Sequence, residues 1–173
     1  MKKGAIELKN MIVKLRRYTA EDITMIYEKI GCNPEMMHYT GWNPYHSLES
    51  TERFINGIIE EYHKELADYS WIIESDGHAV GIIGAYDFDA QENSIEIGYS
   101  IFQDYWGKNY ASEALQLVCS YLRNIEGIRC LKAWSATDNI ASRKVLEKAG
   151  FIQTEIREEA INVDGEKFDQ AFY

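Results

Sequence analysis

The chain has 173 residues, 46% of them hydrophobic and 27% charged, which suits one soluble domain with a substantial core. A formal net charge of -10 excludes duplex nucleic acid as a direct partner, because phosphate binding needs clustered Lys and Arg, and it leaves room for a cationic acceptor such as an amine. No apolar run approaches the roughly 20 residues of a membrane helix. The start Met1-Lys2-Lys3-Gly4 has no signal-peptide pattern behind it, and three scattered cysteines, Cys32, Cys119 and Cys130, make no disulfide framework, so a reducing cytoplasm is the expected setting.

Residues 1–10 are expected to be a flexible leader, and residues 11–173 a single domain. Residues 11–16 alternate from Val13 onward and predict a first strand. Thr19, with Asp22 three residues on, predicts a helix start, and Gly31 the stop of that helix. Asn33-Pro34 opens another short helix carrying Met36, Met37 and Tyr39. The loop around Trp42 and Tyr45 is dense in aromatics and turn formers. Ser47, Ser50 and Glu52 restart a helix whose apolar positions are Phe54, Ile55, Ile58, Ile59 and Tyr62, one buried face.

Residues 69–74 predict a strand, Ser75-Asp76-Gly77-His78 a hairpin turn, and residues 79–88 a long strand. Gly81 and Gly84 inside that strand predict a bulge or tight packing rather than a dinucleotide fingerprint, which needs a helix after the turn. A turn at residues 89–93 leads into a strand over 94–102. A helix follows over 107–124, with Ala111, Ala114, Leu115, Val118 and Leu122 on one face and Cys119 as a core position. Residues 131–135 predict a strand. Asp138 is the expected cap of a helix over 139–148 with Val145, Leu146 and Ala149 facing inward, and residues 151–163 and 167–173 predict a closing hairpin. The fold class is α/β (α+β) in one domain. His38, His46, His63 and His78 show no metal-ligand spacing, so no metal is expected.

The junction Tyr105-Trp106-Gly107-Lys108-Asn109-Tyr110-Ala111 is a small-residue turn between a strand and a helix. Such a turn presents free backbone N–H groups to a ligand and favours a phosphate or pyrophosphate. A plain strand-to-helix turn is the structural alternative. Glu96 on the preceding strand is either a titrating group or a carboxylate facing solvent or pairing across the sheet. Asn139 and Ser142 lie one helical turn apart on one side, either as ligand contacts or as capping groups.

Four blocks in register carry a family resemblance: Glu96-Ile97-Gly98-Tyr99, the turn at 105–111, Asn139-Ile140-Ala141-Ser142, and Leu146-Glu147-Lys148-Ala149-Gly150-Phe151. Together they resemble the GNAT superfamily of acyl-CoA-dependent N-acetyltransferases, and within it the RimJ/RimL-like branch. The resemblance implies a mixed, mostly antiparallel sheet splayed between its fourth and fifth strands, helices on both faces, and acetyl-CoA in the gap. The pyrophosphate would sit on Trp106, Gly107, Lys108, Asn109, Tyr110, Ala111 and Ser112. The backbone at Tyr99, Ser100, Ile101 and Phe102 would pair with the pantetheine arm and hold the developing oxyanion. Asn139 and Ser142 would lie beside that arm, Asn139 hydrogen-bonding the pantetheine and Ser142 hydrogen-bonding or protonating the departing thiolate, with water as the donor, or no acid at all, as the alternatives.

Glu96 is then the candidate general base for an amine that is mostly ammonium at neutral pH. Tyr39, Trp42, Tyr86 and Trp134 are candidates for the acceptor cleft, with core or loop anchoring as the alternative. Two departures from the family pattern stand out: Asn109 where Gly is usual, and Leu146 where many members carry a Tyr acid. The implied reaction is acetyl transfer to a protein N-terminal α-amine or a small amine, by direct attack with both substrates bound. A non-catalytic acyl-CoA sensor and a structural interaction module are the rivals, and a homodimer is compatible with the sequence.

Overall fold

A computed structural model describes residues 7–40, 45–63, 69–163 and 165–173. Among the described residues, nine strands form two sheets, accompanied by five α-helices. The large sheet has the order β1 (Leu8–Lys9), β2 (Lys14–Arg16), β3 (Tyr69–Ser75), β4 (His78–Asp89), β5 (Ser94–Ile101), β6 (Cys130–Lys132). The small sheet has the order β7 (Trp134–Ala136), β9 (Glu166–Phe172), β8 (Glu155–Val163). Every pairing is antiparallel except β5 with β6.

The meander from β3 to β5 follows from local chemistry. Asp76 (φ 49°) and Gly77 (φ 76°) take the two positive-φ positions of a two-residue hairpin, as the sequence predicts. Gly81 admits the close approach of β5: a Cβ there would meet the Ser100 carbonyl oxygen at 2.4 Å. β3 is buried on both faces, with Trp71, Ile72 and Ile73 at 0% exposure. One face packs on α4 (Tyr110–Asn124), whose Ala114, Leu115, Val118 and Leu122 are fully buried, and Tyr121 meets Trp71 edge-on at 6.1 Å. α1 (Asp22–Ile26) and α3 (Leu48–His63) pack against each other and bury Ile26 and Ile55. Burying a side chain of this size stabilises the fold by about 1.5–3 kcal/mol.

The feature that positions the site is a divergence. β5 pairs with β6 over three residues only, Ser94, Ile95 and Glu96. At Ala133 the chain leaves that ladder, and β7 joins the other sheet instead. Among the described residues, the C-terminal half of β5 therefore has no paired strand on that side. With β1 left out, since the sequence did not predict it, the gap falls between the fourth and fifth of the predicted strands.

Some local expectations change. Leu8 and Lys9, placed in the leader by sequence, pair with Leu15 and Lys14. Thr19 does not cap α1. Its N–H and hydroxyl instead donate to Asp22, at 2.8 and 3.1 Å. The helix continues past Ile26 as a π-turn over Tyr27–Gly31. α2 (Pro34–Met37) starts from an Asn33 cap. β8 begins at Glu155 rather than near 151.

Candidate active site

The junction between β5 and α4 has an open helix N-terminus. After β5, a 3₁₀ turn (Gln103–Tyr105) leads to Gly107 (φ 76°) and Asn109 (φ 66°), both left-handed. Gly and Asn are the residues that enter this region at least cost. Asn109 is the N-cap of α4, yet its side chain caps no N–H. The first α4 bond runs from the Glu113 N–H to the Asn109 carbonyl at 3.2 Å. Among the described residues, no protein group accepts from the N–H groups of Tyr110, Ala111 and Ser112.

The Asn109 side chain is used elsewhere. Its amide donates to Glu113 at 2.9 Å, and its carbonyl oxygen accepts from Lys148 at 2.9 Å. Lys148 ends α5 (Ile140–Lys148), so a cation from the second helix stands against the turn. Sequence reasoning missed Lys148, although it lies in one of the four blocks. Lys108 stacks over Tyr105 at 5.1 Å. This arrangement can receive an anion: unpaired N–H groups, the positive end of a 15-residue helix and two lysines.

Main-chain direction sorts the β5 candidates. The Phe102 N–H donates to the Val80 carbonyl at 2.9 Å, so by strand alternation Ser100 and Phe102 face β4, and Tyr99 and Ile101 face the gap. Phe102 is 0% exposed and belongs to the core. Trp106 folds back so that its indole N–H donates to the Ile101 carbonyl at 2.7 Å, which shows that this carbonyl points into the gap.

Glu96 and Tyr86 are cross-strand partners. The ring of Tyr86 lies over Gly98, where a Cβ would come within 2.6 Å of the phenol oxygen. Burial pushes the Glu96 carboxyl above the ordinary range and the Asp87 charge adds to it, while Tyr86, Trp134 and Lys132 oppose by favouring the carboxylate. A carboxylate held in this way is a stronger base than an exposed one. Trp134 is half-buried and, with Tyr39, packs on the small cluster of Ala136, Ile161 and Phe168. Tyr39 meets the Phe168 ring edge-on at 5.4 Å. Tyr86 and Trp134 thus flank Glu96, and Tyr39 is joined to them through that cluster. Trp42 lies outside the described residues.

α5 brings Asn139 and Ser142 to the gap. Asn139, not Asp138, is the cap: its side-chain oxygen accepts from the Ser142 N–H at 3.0 Å. Its side-chain NH₂ remains available beside β7. The Ser142 hydroxyl lies 3.1 Å from the Tyr99 phenol oxygen. Leu146 is 1% exposed and fills the core at the position of the missing Tyr acid. Among the described residues no group of three His, Cys, Asp or Glu side chains could hold a metal ion, and no helix is long and apolar enough to cross a membrane.

A family model described as Acetyltransferase (GNAT) domain matches residues 13–152. A curated Bacillus subtilis (strain 168) relative, the uncharacterized N-acetyltransferase YoaA, is 29% identical over 161 residues, covering 92% of this chain and 90% of its own. The fold is shared with RimL, the ribosomal L7/L12 alpha-N-protein acetyltransferase, in its complex with coenzyme A: TM-score 0.85 at 18% identity, over 97% of this chain and 96% of that one. It is shared as well with spermidine N-acetyltransferase from Vibrio cholerae in complex with CoA and spermine: TM-score 0.82 at 20% identity, over 94% of both chains.

Proposed function

Given that this chain belongs to the GNAT family of N-acetyltransferases, we propose that it moves an acetyl group from acetyl-CoA to a primary amine, either a protein N-terminal α-amine or a small-molecule amine, within a ternary complex. The observation that carries this reading is the unpaired N-terminus of α4 beside the gap between β5 and β7. The pyrophosphate sits on the N–H groups from Gly107 to Ser112, with Lys108 and Lys148 as cations. The pantetheine arm runs along the main chain of Tyr99 and Ile101, with Asn139 on its far side. Two proteins of the same fold were solved in complex with coenzyme A, which supports a coenzyme site on this fold.

The amine enters between Tyr86 and Trp134. Glu96 takes a proton from the incoming ammonium, directly or through water, and the freed nitrogen forms a bond to the thioester carbon. A main-chain N–H facing the gap stabilises the oxyanion. The C–S bond then breaks, Ser142 donates its proton to the thiolate, and the second proton of the acylated nitrogen leaves to water, giving the neutral amide. Thiolate is a tolerable leaving group with a pKa near 8.5, so the loss of the Tyr acid at Leu146 leaves the reaction open. Orientation supplies much of the acceleration. Exposed free thiols at Cys32 and Cys130 suit a reducing compartment such as the cytoplasm.

The test is release of free CoA from acetyl-CoA over a panel of N-terminal peptides, polyamines, amino acids and aminoglycosides. Turnover with one class identifies the acceptor. Thermal stabilisation by CoA without turnover across the panel would mark a sensor instead, and no stabilisation at all would remove the proposed cofactor site.

A further inference from the structure

We propose that the phenol of Tyr99 positions the Ser142 hydroxyl for proton donation, so that the acid of this site is a serine steered from β5. The inference rests on Ser142 acting as the acid. Tyr99 was a candidate on account of its main chain alone, yet its side chain makes the only side-chain hydrogen bonds between β5 and α5 among the described residues.

The phenol oxygen lies 3.1 Å from the Ser142 Oγ and 3.2 Å from the Ser142 carbonyl oxygen. It has one proton for two acceptors. When the phenol donates to the carbonyl, which can only accept, the serine hydroxyl must donate to the phenol, and its proton is held inward. When the phenol O–H rotates to Oγ, the serine proton is released toward the gap. The same rotation leaves a donor on Oγ as its charge develops. The sulfur gains an S–H bond, Ser142 loses its O–H bond, and the second proton shed by the acylated nitrogen returns through water to the serine oxygen.

Burial fits Tyr99 to this role. Loss of solvent pushes its phenol up to about 12, so it stays protonated and available as a hydrogen-bond donor to Ser142. Asn139 adds the second constraint: by accepting from the Ser142 N–H at 3.0 Å it fixes the backbone from which the hydroxyl projects. Leu146, one turn further on, is buried and offers no proton. The donor absent at Leu146 is therefore replaced by two residues on facing elements. The Tyr99 hydroxyl bonds to Ser142 and acts through it.

The experiment compares Tyr99→Phe, Ser142→Ala and the double variant in the thiol-release assay. Thermal unfolding serves as a control, since Phe keeps the ring. The expected result for Tyr99→Phe is a fall in kcat of about five- to ten-fold, the usual weight of one hydrogen bond, with the KM for acetyl-CoA within about two-fold of the parent. The double variant should be no slower than Ser142→Ala, because the phenol has nothing to steer once the hydroxyl is gone. Equal kcat in Tyr99→Phe and the parent, with Ser142→Ala slowed, overturns the proposal and leaves Ser142 as acid. Full activity in Ser142→Ala removes the acid reading itself. Additive losses in the double variant assign Tyr99 a merely structural part and also overturn the proposal.

Discussion

The Lys148 ammonium donates to the Asn109 side-chain oxygen at 2.9 Å, tying the last residue of α5 to the left-handed residue that opens α4. The contact gives the Asn109 side chain a use at a position where the resemblance implies Gly. Asn reaches φ 66° and its amide also bridges two neighbours, which Gly could not do. When an anion sits on the α4 N-terminus, Lys148 is within reach to turn toward it.

Lys148→Met is therefore expected to raise the KM for acetyl-CoA by about three- to ten-fold, the scale of one partly solvated charge-assisted contact, with kcat nearly unchanged. The effect should shrink as salt is raised, because the lysine is exposed. Initial rates against acetyl-CoA concentration at two ionic strengths check this. A KM equal to that of the parent at low salt would detach Lys148 from the cofactor.

Gly98 and Tyr86 make a second coupled pair. An added methyl at Gly98 would meet the phenol oxygen at 2.6 Å and ring carbons at 3.2 and 3.3 Å. The obstacle is the far end of a side chain that is 44% exposed, so the ring can swing away and the fold can absorb the change. Gly98→Ala should thus lower the melting temperature by only a few degrees, about 1 kcal/mol, while displacing Tyr86 from Glu96. Activity should fall roughly ten-fold, as in Tyr86→Phe. Placed on a Tyr86→Phe background, Gly98→Ala should add little. A further full drop there would mean that Gly98 serves the site by another route.

Much of this pairing was hidden from the sequence for physical reasons. The Asp76-Gly77 hairpin and the buried face of α4 are local in origin, and turn chemistry and helical period predict both. The open turn at Gly107 and Asn109 was likewise legible, because two residues tolerant of positive φ precede an apolar helix pattern. The break at Ala133 was not. Residues 131–135 read as one strand, and only the competition between two sheets for its edges divides it into β6 and β7. Asp138 and Asn139 are both good caps, and the choice between them depends on where the chain leaves β7. Lys148 and Tyr99 act through side chains that reach across to other elements, for which a single sequence carries no signal.

Glu96 sets a pH dependence with a defined sign. Its carboxyl is raised by burial and by the negative charge of Asp87. A base must be deprotonated, so kcat/KM should rise with pH along an acidic limb placed above the usual range near 4.3. Asp87→Asn removes the repulsion and should move that limb to lower pH, whereas Glu96→Gln should abolish it along with most of the activity. The stability consequence runs the other way. A raised folded pKa contributes stability that is full below the unfolded value and is lost as pH rises through the folded one. Glu96→Gln should therefore melt higher than the parent at pH 7 and lose that advantage in acid. Rate and melting profiles from pH 4 to 9 check both signs, and an acidic limb unmoved by Asp87→Asn would take Glu96 out of the proton transfer.

A carboxylate far from this site predicts the opposite trend. Asp22 is 5% exposed and is gripped by Arg16 at 2.7 and 2.8 Å, while Arg16 also reaches Glu74 at 2.7 Å. Burial alone would raise its carboxyl, but the bonds from Arg16 and from Thr19 outweigh burial and hold it below the ordinary value. A depressed pKa gives stability that is present above the unfolded value near 3.9 and lost as pH falls through the folded one. The three residues join β2, β3 and the start of α1, so the network fixes the helix that carries the buried Ile26. Asp22→Ala leaves Arg16 half-buried with Glu74 as its one carboxylate partner among the described residues, and should cost about 3 kcal/mol at pH 7. The deficit should narrow as the pH is brought toward 3, where the parent loses the same charge. Urea unfolding of both proteins at pH 7 and pH 3.5 measures the difference, and a constant gap would mean that Asp22 holds the helix through packing rather than through its charge.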